Sequence, residues 1–226
     1  MNCPRCRHDL REGAKFCDQC GAPVVAAAPA AQFNAPRSYT PKHLAERILT
    51  SRTALEGERK QVTVLFADLQ NFTGLSEQLD PEELHDLMNR LFEIMLAEVH
   101  RYEGTVNQFT GDGIMALFGA PLALEDHAAR AVEAALAIQE AMRKVGDELE
   151  ANRGRRVALR IGVNTGLVVV GKIGDDLRMD YTAQGDTVNL AARLQALAEP
   201  GTVAISEAAH HLVAGYFDCE SLGTHT

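Results

Sequence analysis

The sequence lacks the features that mark nucleic-acid-binding and membrane-spanning chains. It has 22 Lys and Arg against 31 Asp and Glu, and its basic residues never cluster beyond two or three. A nucleic acid is not an expected partner, since such binding depends on Lys and Arg neutralising phosphates. No apolar run approaches 18 residues, so membrane insertion is not expected either. A small polyphosphate ligand stays compatible with the net charge of −9, because metal ions can carry the positive charge.

The N-terminus also lacks a secretory signal, in which charged residues precede an apolar run. The protein is therefore expected to be cytoplasmic, where cysteines stay reduced. Hydrophobic residues make up 46% and charged residues 23% of the 226 positions, which is an ordinary globular composition. A chain of this length has room for one full domain and a small appendage.

Four cysteines near the N-terminus form two CxxC pairs, Cys3 with Cys6 and Cys17 with Cys20. Four thiolates complete a tetrahedral shell around one structural Zn²⁺ and leave no open position for catalysis. The polar segment between the pairs cannot build a core, so the metal would supply the folding energy. Unrelated cysteines or a redox CxxC are the alternatives. Cys219 stands alone and is expected to be a small buried residue.

Composition divides the chain into four segments. We expect a zinc ribbon at 1–23, an Ala/Pro-rich linker at 24–41, an amphipathic connecting helix at 42–57 and a main domain at 58–226. The connecting helix could pack on the main domain, pair with a partner or transmit a signal, and the sequence does not choose between these roles.

The main domain has a regular pattern of strands and helices. VTVLFAD at 62–68 predicts a central strand, and 81–104 predicts a helix. TVNQF and IMALFG flank TGDG as a hairpin, followed by a second helix at about 125–150 and the alternating strand VALRIGV at 157–163. The order predicts an α+β fold of the ferredoxin-like βαββαβ type, with an antiparallel sheet and helices on one face.

Two carboxylates stand out because one lies at the end of a predicted strand and the other at the tip of a predicted hairpin. Asp68 closes the first strand, and Asp112 lies between Gly111 and Gly113 at the hairpin tip. In a β-α-β-β sheet the first strand and this hairpin are expected to be neighbours, which would bring both side chains to one edge of the sheet. Two carboxylates that close repel unless cations lie between them, and oxygen ligands of this kind suit Mg²⁺ or Mn²⁺. The flanking glycines permit unusual backbone angles or close approach of a ligand. The alternative is that each Asp only serves turn chemistry.

Two further clusters have the residue types that handle phosphates. Asn189 and Arg193 share a face of a predicted helix, and Arg stabilises charge on a transferring phosphoryl group. An exposed Asn and a solvated Arg are the alternative for this pair. A weaker signal is a loop whose backbone N–H groups could cradle phosphate oxygens. Its residues are Asn71, Phe72, Thr73 and Gly74.

The stretches LFADLQNFTGL, TVNQFTGDGIMALFG and YTAQGDTVNLAARL resemble, in order and spacing, the class III adenylate and guanylate cyclase catalytic domain. The resemblance runs from about residue 59 to the end. It implies that Asp68 and Asp112 bind two Mg²⁺ or Mn²⁺ ions, which activate the ribose 3′-hydroxyl of ATP and hold its triphosphate. It also implies that Asn189 orients the ribose and that Arg193 stabilises the transition state as pyrophosphate leaves.

The resemblance further implies a homodimer, because the metal residues and the Asn/Arg pair of each site come from different subunits. The positions that read the base correspond to Gln108 and Thr182. Thr182 resembles a branch of ATP-using family members, which favours an adenylate cyclase that makes 3′,5′-cyclic AMP. Gln108 leaves GTP or a pyrimidine triphosphate open, because an amide both donates and accepts hydrogen bonds.

A zinc ribbon ahead of such a domain looks like a bacterial signalling arrangement that an ATPase and helical repeats often continue. The sequence stops at SLGTHT, where family members carry a final strand and a basic residue. We therefore expect a truncated piece of a longer protein. A catalytically weak nucleotide-sensing or regulatory module is the remaining alternative.

Overall fold

The structure is a computed structural model that describes residues 36–55, 59–70, 72–76, 79–154, 157–173, 179–183 and 187–225. The chain divides into two units, Met1–Asn34 and Ala35–Thr226. The first unit carries the four predicted zinc ligands and lies outside the described residues. The second unit carries the whole described fold.

Helices and strands alternate through the second unit. In chain order the elements are α1 (Pro36–Tyr39), α2 (Lys42–Leu55), β1 (Arg59–Leu69), α3 (Phe72–Ser76), α4 (Pro81–Arg101), β2 (Thr105–Phe109), β3 (Gly113–Phe118), α5 (His127–Arg153), β4 (Leu159–Ile173), β5 (Met179–Ala183), α6 (Thr187–Leu197), β6 (Val203–Ile205) and α7 (Glu207–Val213). Helix α4 begins as its sequence predicts, since the Asp80 carboxylate caps it by accepting a hydrogen bond from the Glu82 backbone N–H at 2.9 Å.

The strands form one sheet in the order β2-β3-β1-β4-β5, and each neighbouring pair on this path is antiparallel. The placement of β1 to β4 is the ferredoxin-like one, so the predicted fold class is confirmed. Strand β6 is an addition that pairs with β4 in parallel. Because β1 lies in the centre, its last residues are flanked on one side by β3 and on the other by β4.

Helices α4 and α5 pack together on one face of the sheet, as predicted. On this face Thr63 of β1 is buried, and its hydroxyl oxygen lies 2.7 Å from Nδ1 of the buried His127 at the start of α5. The same hydroxyl lies 2.8 Å from Oγ1 of Thr165 on β4. This polar network ties the central strand to α5 and to the neighbouring strand.

Helices α2 and α6 cover the opposite face, which the sequence analysis did not assign to helices. Successive side chains of a strand point to opposite faces, so Val62 and Val64 face away from Thr63. Both valines belong to a buried cluster with Leu44 and Ile48 of α2 and Ala191 of α6. Helix α2, the predicted connecting helix, therefore contributes to the hydrophobic core of the second unit.

The segment that follows α7 corrects one prediction. Ser206 caps α7 by accepting a hydrogen bond from the Ala209 backbone N–H at 3.1 Å, and α7 ends at Val213. Cys219 lies beyond it and is exposed, so the prediction that this cysteine is buried is wrong. The reason is local, because described residues 218–225 are exposed throughout and belong to no helix or strand.

Candidate active site

The two singled-out carboxylates lie side by side at the end of the central strand. Asp68 is the penultimate residue of β1 and pairs across the ladder with Gly113, the first residue of β3. Asp112 directly precedes Gly113, and its carboxyl group lies within hydrogen-bonding reach of that of Asp68. Both side chains are half-buried. The structure therefore brings together the pair that the sequence analysis placed at one sheet edge.

The glycines beside Asp112 have two different structural reasons. Gly111 has φ +93°, a backbone conformation that favours glycine, and a Cβ there would meet nothing within 4 Å. A Cβ on Gly113 would lie 2.2 Å from the carbonyl oxygen of Ala67 and 2.7 Å from Oδ1 of Asp68. Gly113 is thus required for β3 to approach β1 closely, and Gly111 for the turn that places Asp112 beside Asp68.

The electrostatics of the pair favour a cation. Burial, as the larger cause, and the neighbouring Asp112 carboxyl together raise the pKa of Asp68 from its ordinary 3.8 to about 6. The Arg160 guanidinium opposes this rise in the Asp68 pKa, and its effect ranks below those of burial and Asp112. Two carboxylates this close repel each other when both are ionised, and a divalent ion between them offsets this repulsion.

The donor set fits a hard divalent ion that keeps open positions. In the described part of the chain, no group of three or more His, Cys, Asp or Glu side chains gathers at one point. Two carboxylates without nitrogen or sulfur ligands suit Mg²⁺ or Mn²⁺, which take waters and substrate phosphates as their further ligands. The pair is therefore able to hold such ions together with a polyphosphate.

Arg160 is a site residue that the sequence analysis did not single out. It lies on β4 directly across the ladder from Asp68, and its charge acts on that carboxylate. Its Nε is buried and, within the described residues, has no hydrogen-bond partner. A buried guanidinium donor near Asp68 is well placed to bind an anionic oxygen. The signal in the sequence was a charged residue inside the alternating strand VALRIGV.

Helix α6 presents the predicted Asn/Arg pair. A Cβ on Gly162 of β4 would lie 2.1 Å from the backbone nitrogen of Gln195, and one on Gly166 would lie 2.6 Å from Oγ1 of Thr187. These two glycines let α6 lie directly on β4. Ala191 of this helix is buried against the sheet. The two predicted catalytic residues, Asn189 and Arg193, are both exposed.

Gln108 lies on the same face of the sheet as Asp68. It pairs with Met115 of β3, which in turn pairs with Phe66 of β1, and Phe66 and Asp68 share a face. The Gln108 side chain is exposed. Thr182 lies in β5 opposite Val169 of β4, and its side chain is outside what the structure describes.

The predicted phosphate loop follows β1. Phe72, Thr73 and Gly74 lie in the short helix α3, while Asn71 is outside the described residues, as are the four cysteines. Phe72 and Gly74 are half-buried. The role of this loop stays a prediction.

Comparison with known proteins identifies the family. The profile of the adenylate and guanylate cyclase catalytic domain matches residues 56–225, and that of a zinc-ribbon domain matches residues 2–24. The first match covers well over half of the chain, and with it the paired carboxylates and the sheet around them. The chain belongs to the adenylate and guanylate cyclase catalytic domain family. The resemblance read from the sequence, including the zinc ribbon, is confirmed.

Similar proteins include both adenylate and guanylate cyclases. Adenylate cyclase 1 of Rhizobium meliloti is 36% identical over 164 residues, which are 70% of this chain and 24% of that protein. The crystal structure of the adenylyl cyclase CyaB from P. aeruginosa has a TM-score of 0.68 at 36% identity, covering 75% of this chain and 88% of that one. The guanylate cyclase domain of RhGC from Catenaria anguillulae, in complex with GTP, has a TM-score of 0.62 at 31% identity, covering 71% and 86%.

The curated relatives are longer than this chain. The chain spans about a quarter of the length of the curated relatives it matches. Among the described residues, no helix combines the length and the hydropathy that a membrane-spanning segment needs.

Proposed function

We propose that this protein is an adenylate cyclase that converts ATP into 3′,5′-cyclic AMP and pyrophosphate. The observation that carries the proposal is the contact between the Asp68 and Asp112 carboxyl groups at the end of β1, with Arg160 across the ladder from Asp68. Cation sites and an anion-binding group next to each other are what a metal-bound triphosphate requires. Membership of the cyclase family supports the same reaction.

Asp68 and Asp112 would hold two Mg²⁺ or Mn²⁺ ions. Bound there, the ions would supply acidification of the ribose 3′-hydroxyl and neutralisation of the leaving pyrophosphate. The residues of the chain do the remaining work. Arg160 binds phosphate oxygens through its buried Nε, which has no hydrogen-bond partner among the described residues. The half-buried position of the two acids weakens, without abolishing, the screening of these charges by bulk water.

Asn189 and Arg193 complete the site from a second copy of the chain. Asn189 orients the ribose, and Arg193 stabilises the charge on the α-phosphate as the 3′-oxygen displaces pyrophosphate. Both lie on the exposed surface of α6, whose other exposed side chains include Leu190 and Leu197, exposed by 38% and 45%. Apolar side chains of this size beside charged ones favour burial in an interface. These exposed leucines support the proposal of a homodimer with two shared sites.

Mixing inactive variants tests the shared site. Asp112→Asn and Arg193→Ala should each lack cyclase activity as pure proteins. A mixture should recover about a quarter of the wild-type activity per total chain, because half of randomly formed dimers are mixed and each contains one intact site. Mixing Asp112→Asn with Asp68→Asn is the matched control, since both changes fall on the same half-site and no recovery is expected. A mixture without recovery, in dimers confirmed by ultracentrifugation, contradicts the interfacial mechanism.

GTP is the second candidate substrate, and the position of Gln108 is the observation that keeps it open. Gln108 is exposed on the face that carries Asp68, where its amide could hydrogen-bond to either purine. Activity with each of the four nucleoside triphosphates in Mn²⁺ decides between the candidates. The proposal expects ATP to have the highest kcat/KM. A preference for GTP or a pyrimidine triphosphate would change the proposed substrate but not the proposed roles of the site residues.

The zinc ribbon is proposed to hold one structural Zn²⁺ through Cys3, Cys6, Cys17 and Cys20. The match of the ribbon profile to residues 2–24 supports this proposal. Elemental analysis should find one zinc per chain in the wild type and less than one in Cys17→Ser, whereas Cys219→Ser should keep the full content. Zinc content that does not depend on Cys17 contradicts the assignment.

A further inference from the structure

Tyr39, in the short helix α1, contacts the strand that carries the predicted base-reading residue. Its hydroxyl donates a hydrogen bond to the carbonyl oxygen of Val106 at 3.3 Å. Its ring meets that of Phe109 edge-on, with the centroids 5.2 Å apart. Val106 and Phe109 lie on either side of Gln108 in β2, so one side chain contacts the strand both before and after the base-reading position.

Strand β2 needs such support because it lies at the end of the strand path and is irregular. The pairing with β3 shifts between Val106 and Gln108, so that Asn107 is an extra residue in a β-bulge. The bulge decides where Gln108 points. In a regular ladder Val106 and Gln108 would share a face, whereas the extra residue turns Gln108 to the face of Asp68 and leaves Phe109 on the face of α4. Phe92 of α4 meets Phe109 edge-on at 4.9 Å.

The segment that carries Tyr39 is itself fixed to the domain. Arg47 of α2 forms an ion pair with Glu103, which lies in the turn between α4 and β2 and also pairs with Arg130 of α5 at 3.1 Å. Leu44 and Ile48 of α2 are fully buried in the core on the Asp68 face. Tyr39 thus reaches β2 from a segment with its own attachment to the domain.

We propose that Tyr39 is a positioning residue that holds the β2 bulge and thereby sets nucleotide selectivity through Gln108. The inference rests on the proposed function, because it assumes that Gln108 contacts the base. Loss of the hydroxyl frees the Val106 carbonyl and lets the bulge relax, so that the Gln108 amide no longer has one fixed orientation. A site discriminates between bases only when its hydrogen-bonding groups are held in place.

The test compares Tyr39→Phe, which keeps the ring, with Tyr39→Leu, which loses ring and hydroxyl, in the full chain with Mn²⁺. For Tyr39→Phe the ratio of kcat/KM for ATP to that for GTP should fall about fivefold, the size of one net hydrogen bond. The change should lie in KM, with kcat for ATP within about twofold of wild type. Tyr39→Leu should lower the ratio further. Tyr216→Phe is the matched control, because this tyrosine is 79% exposed and should change neither parameter.

A second readout does not depend on turnover. Displacement of a fluorescent ATP analogue by ATP and by GTP should show the same loss of preference in Tyr39→Phe. A purely structural role would lower the melting temperature and kcat equally for both nucleotides, and an unchanged ratio overturns the inference while the cyclase proposal stands. A wild-type protein that neither binds nor cyclises any nucleoside triphosphate overturns both.

Discussion

Asp112→Asn should make the metal-free protein more stable while removing its function. Burial and the Asp112 carboxyl together raise the pKa of Asp68 from 3.8 to about 6 in the folded protein. A raised carboxyl pKa means that the folded state holds the proton more tightly than the unfolded state does. The resulting stability penalty is absent below pH 3.8, grows as the pH rises towards 6, and is fully present above it. Removal of the neighbouring charge removes part of that penalty.

The magnitude follows from the pKa of Asp68. A rise from 3.8 to about 6, at about 1.4 kcal/mol per pKa unit, sets an upper limit of about 3 kcal/mol. Asp68 is only half-buried, so solvent screening reduces the penalty to about 1–2 kcal/mol. Burial, the largest cause of the shift, remains in the variant. Asp112→Asn should therefore recover about 0.5–1 kcal/mol at pH 8, and less at pH 5.

Thermal unfolding by circular dichroism, in protein dialysed free of Mg²⁺ and Mn²⁺, measures the gain. The melting temperature of Asp112→Asn should exceed that of wild type by about 1–4 °C at pH 8. Addition of Mn²⁺ at about 100 times its Kd should stabilise wild type by about 2.7 kcal/mol and the variant far less, which reverses their order. Asp218→Asn, a change at an exposed carboxyl near the end of the chain, is the control and should follow wild type. A metal-free variant no more stable than wild type, with an unchanged Mn²⁺ response, refutes the reasoning.

Three further changes test the packing and the anion site. Gly162→Ala places a methyl group 2.1 Å from the backbone nitrogen of Gln195 and should lower the free energy of unfolding in urea by about 1–3 kcal/mol. A decrease below about 0.5 kcal/mol would contradict the close packing of α6 on β4. Ile48→Ala leaves a cavity at a fully buried position and should lower the free energy of unfolding by about 2–5 kcal/mol in the same measurement. A negligible decrease would contradict the packing of α2 in the hydrophobic core. Arg160→Gln should raise KM for ATP about tenfold or more, because it removes a charge-assisted contact to phosphate, and an unchanged KM would exclude Arg160 from the triphosphate site.

The parts of the site that could be predicted are those with a local signal. An apolar strand that ends in Asp68 and a hairpin tip in which glycines flank Asp112 can each be read from a few neighbouring residues. Their meeting at one sheet edge followed from the β-α-β-β order, and the structure places their carboxyl groups in contact. The residue types of Asn189 and Arg193 likewise indicated phosphate chemistry. Their place on the exposed side of α6 is compatible with that role and with the alternative of an exposed Asn and a solvated Arg.

The parts that could not be predicted depend on pairing between distant segments. Arg160 joins the site only because β4 runs antiparallel to β1, a register that no local pattern determines. The helices on the Asp68 face of the sheet were not predicted. Gly162 and Gly166, whose lack of a side chain lets α6 pack directly on β4, look like ordinary strand residues in the sequence. The bulge at Asn107 is equally invisible in the sequence, since TVNQF fits a regular strand.

Identification of the product tests the central claim most directly. The purified full chain, incubated with Mn²⁺ and ATP, should yield 3′,5′-cyclic AMP and pyrophosphate in equal amounts by mass spectrometry and a coupled pyrophosphate assay. Asp68→Asn should yield neither. Formation of ADP or AMP in place of the cyclic product, or an Asp68→Asn protein as active as wild type, would contradict the account.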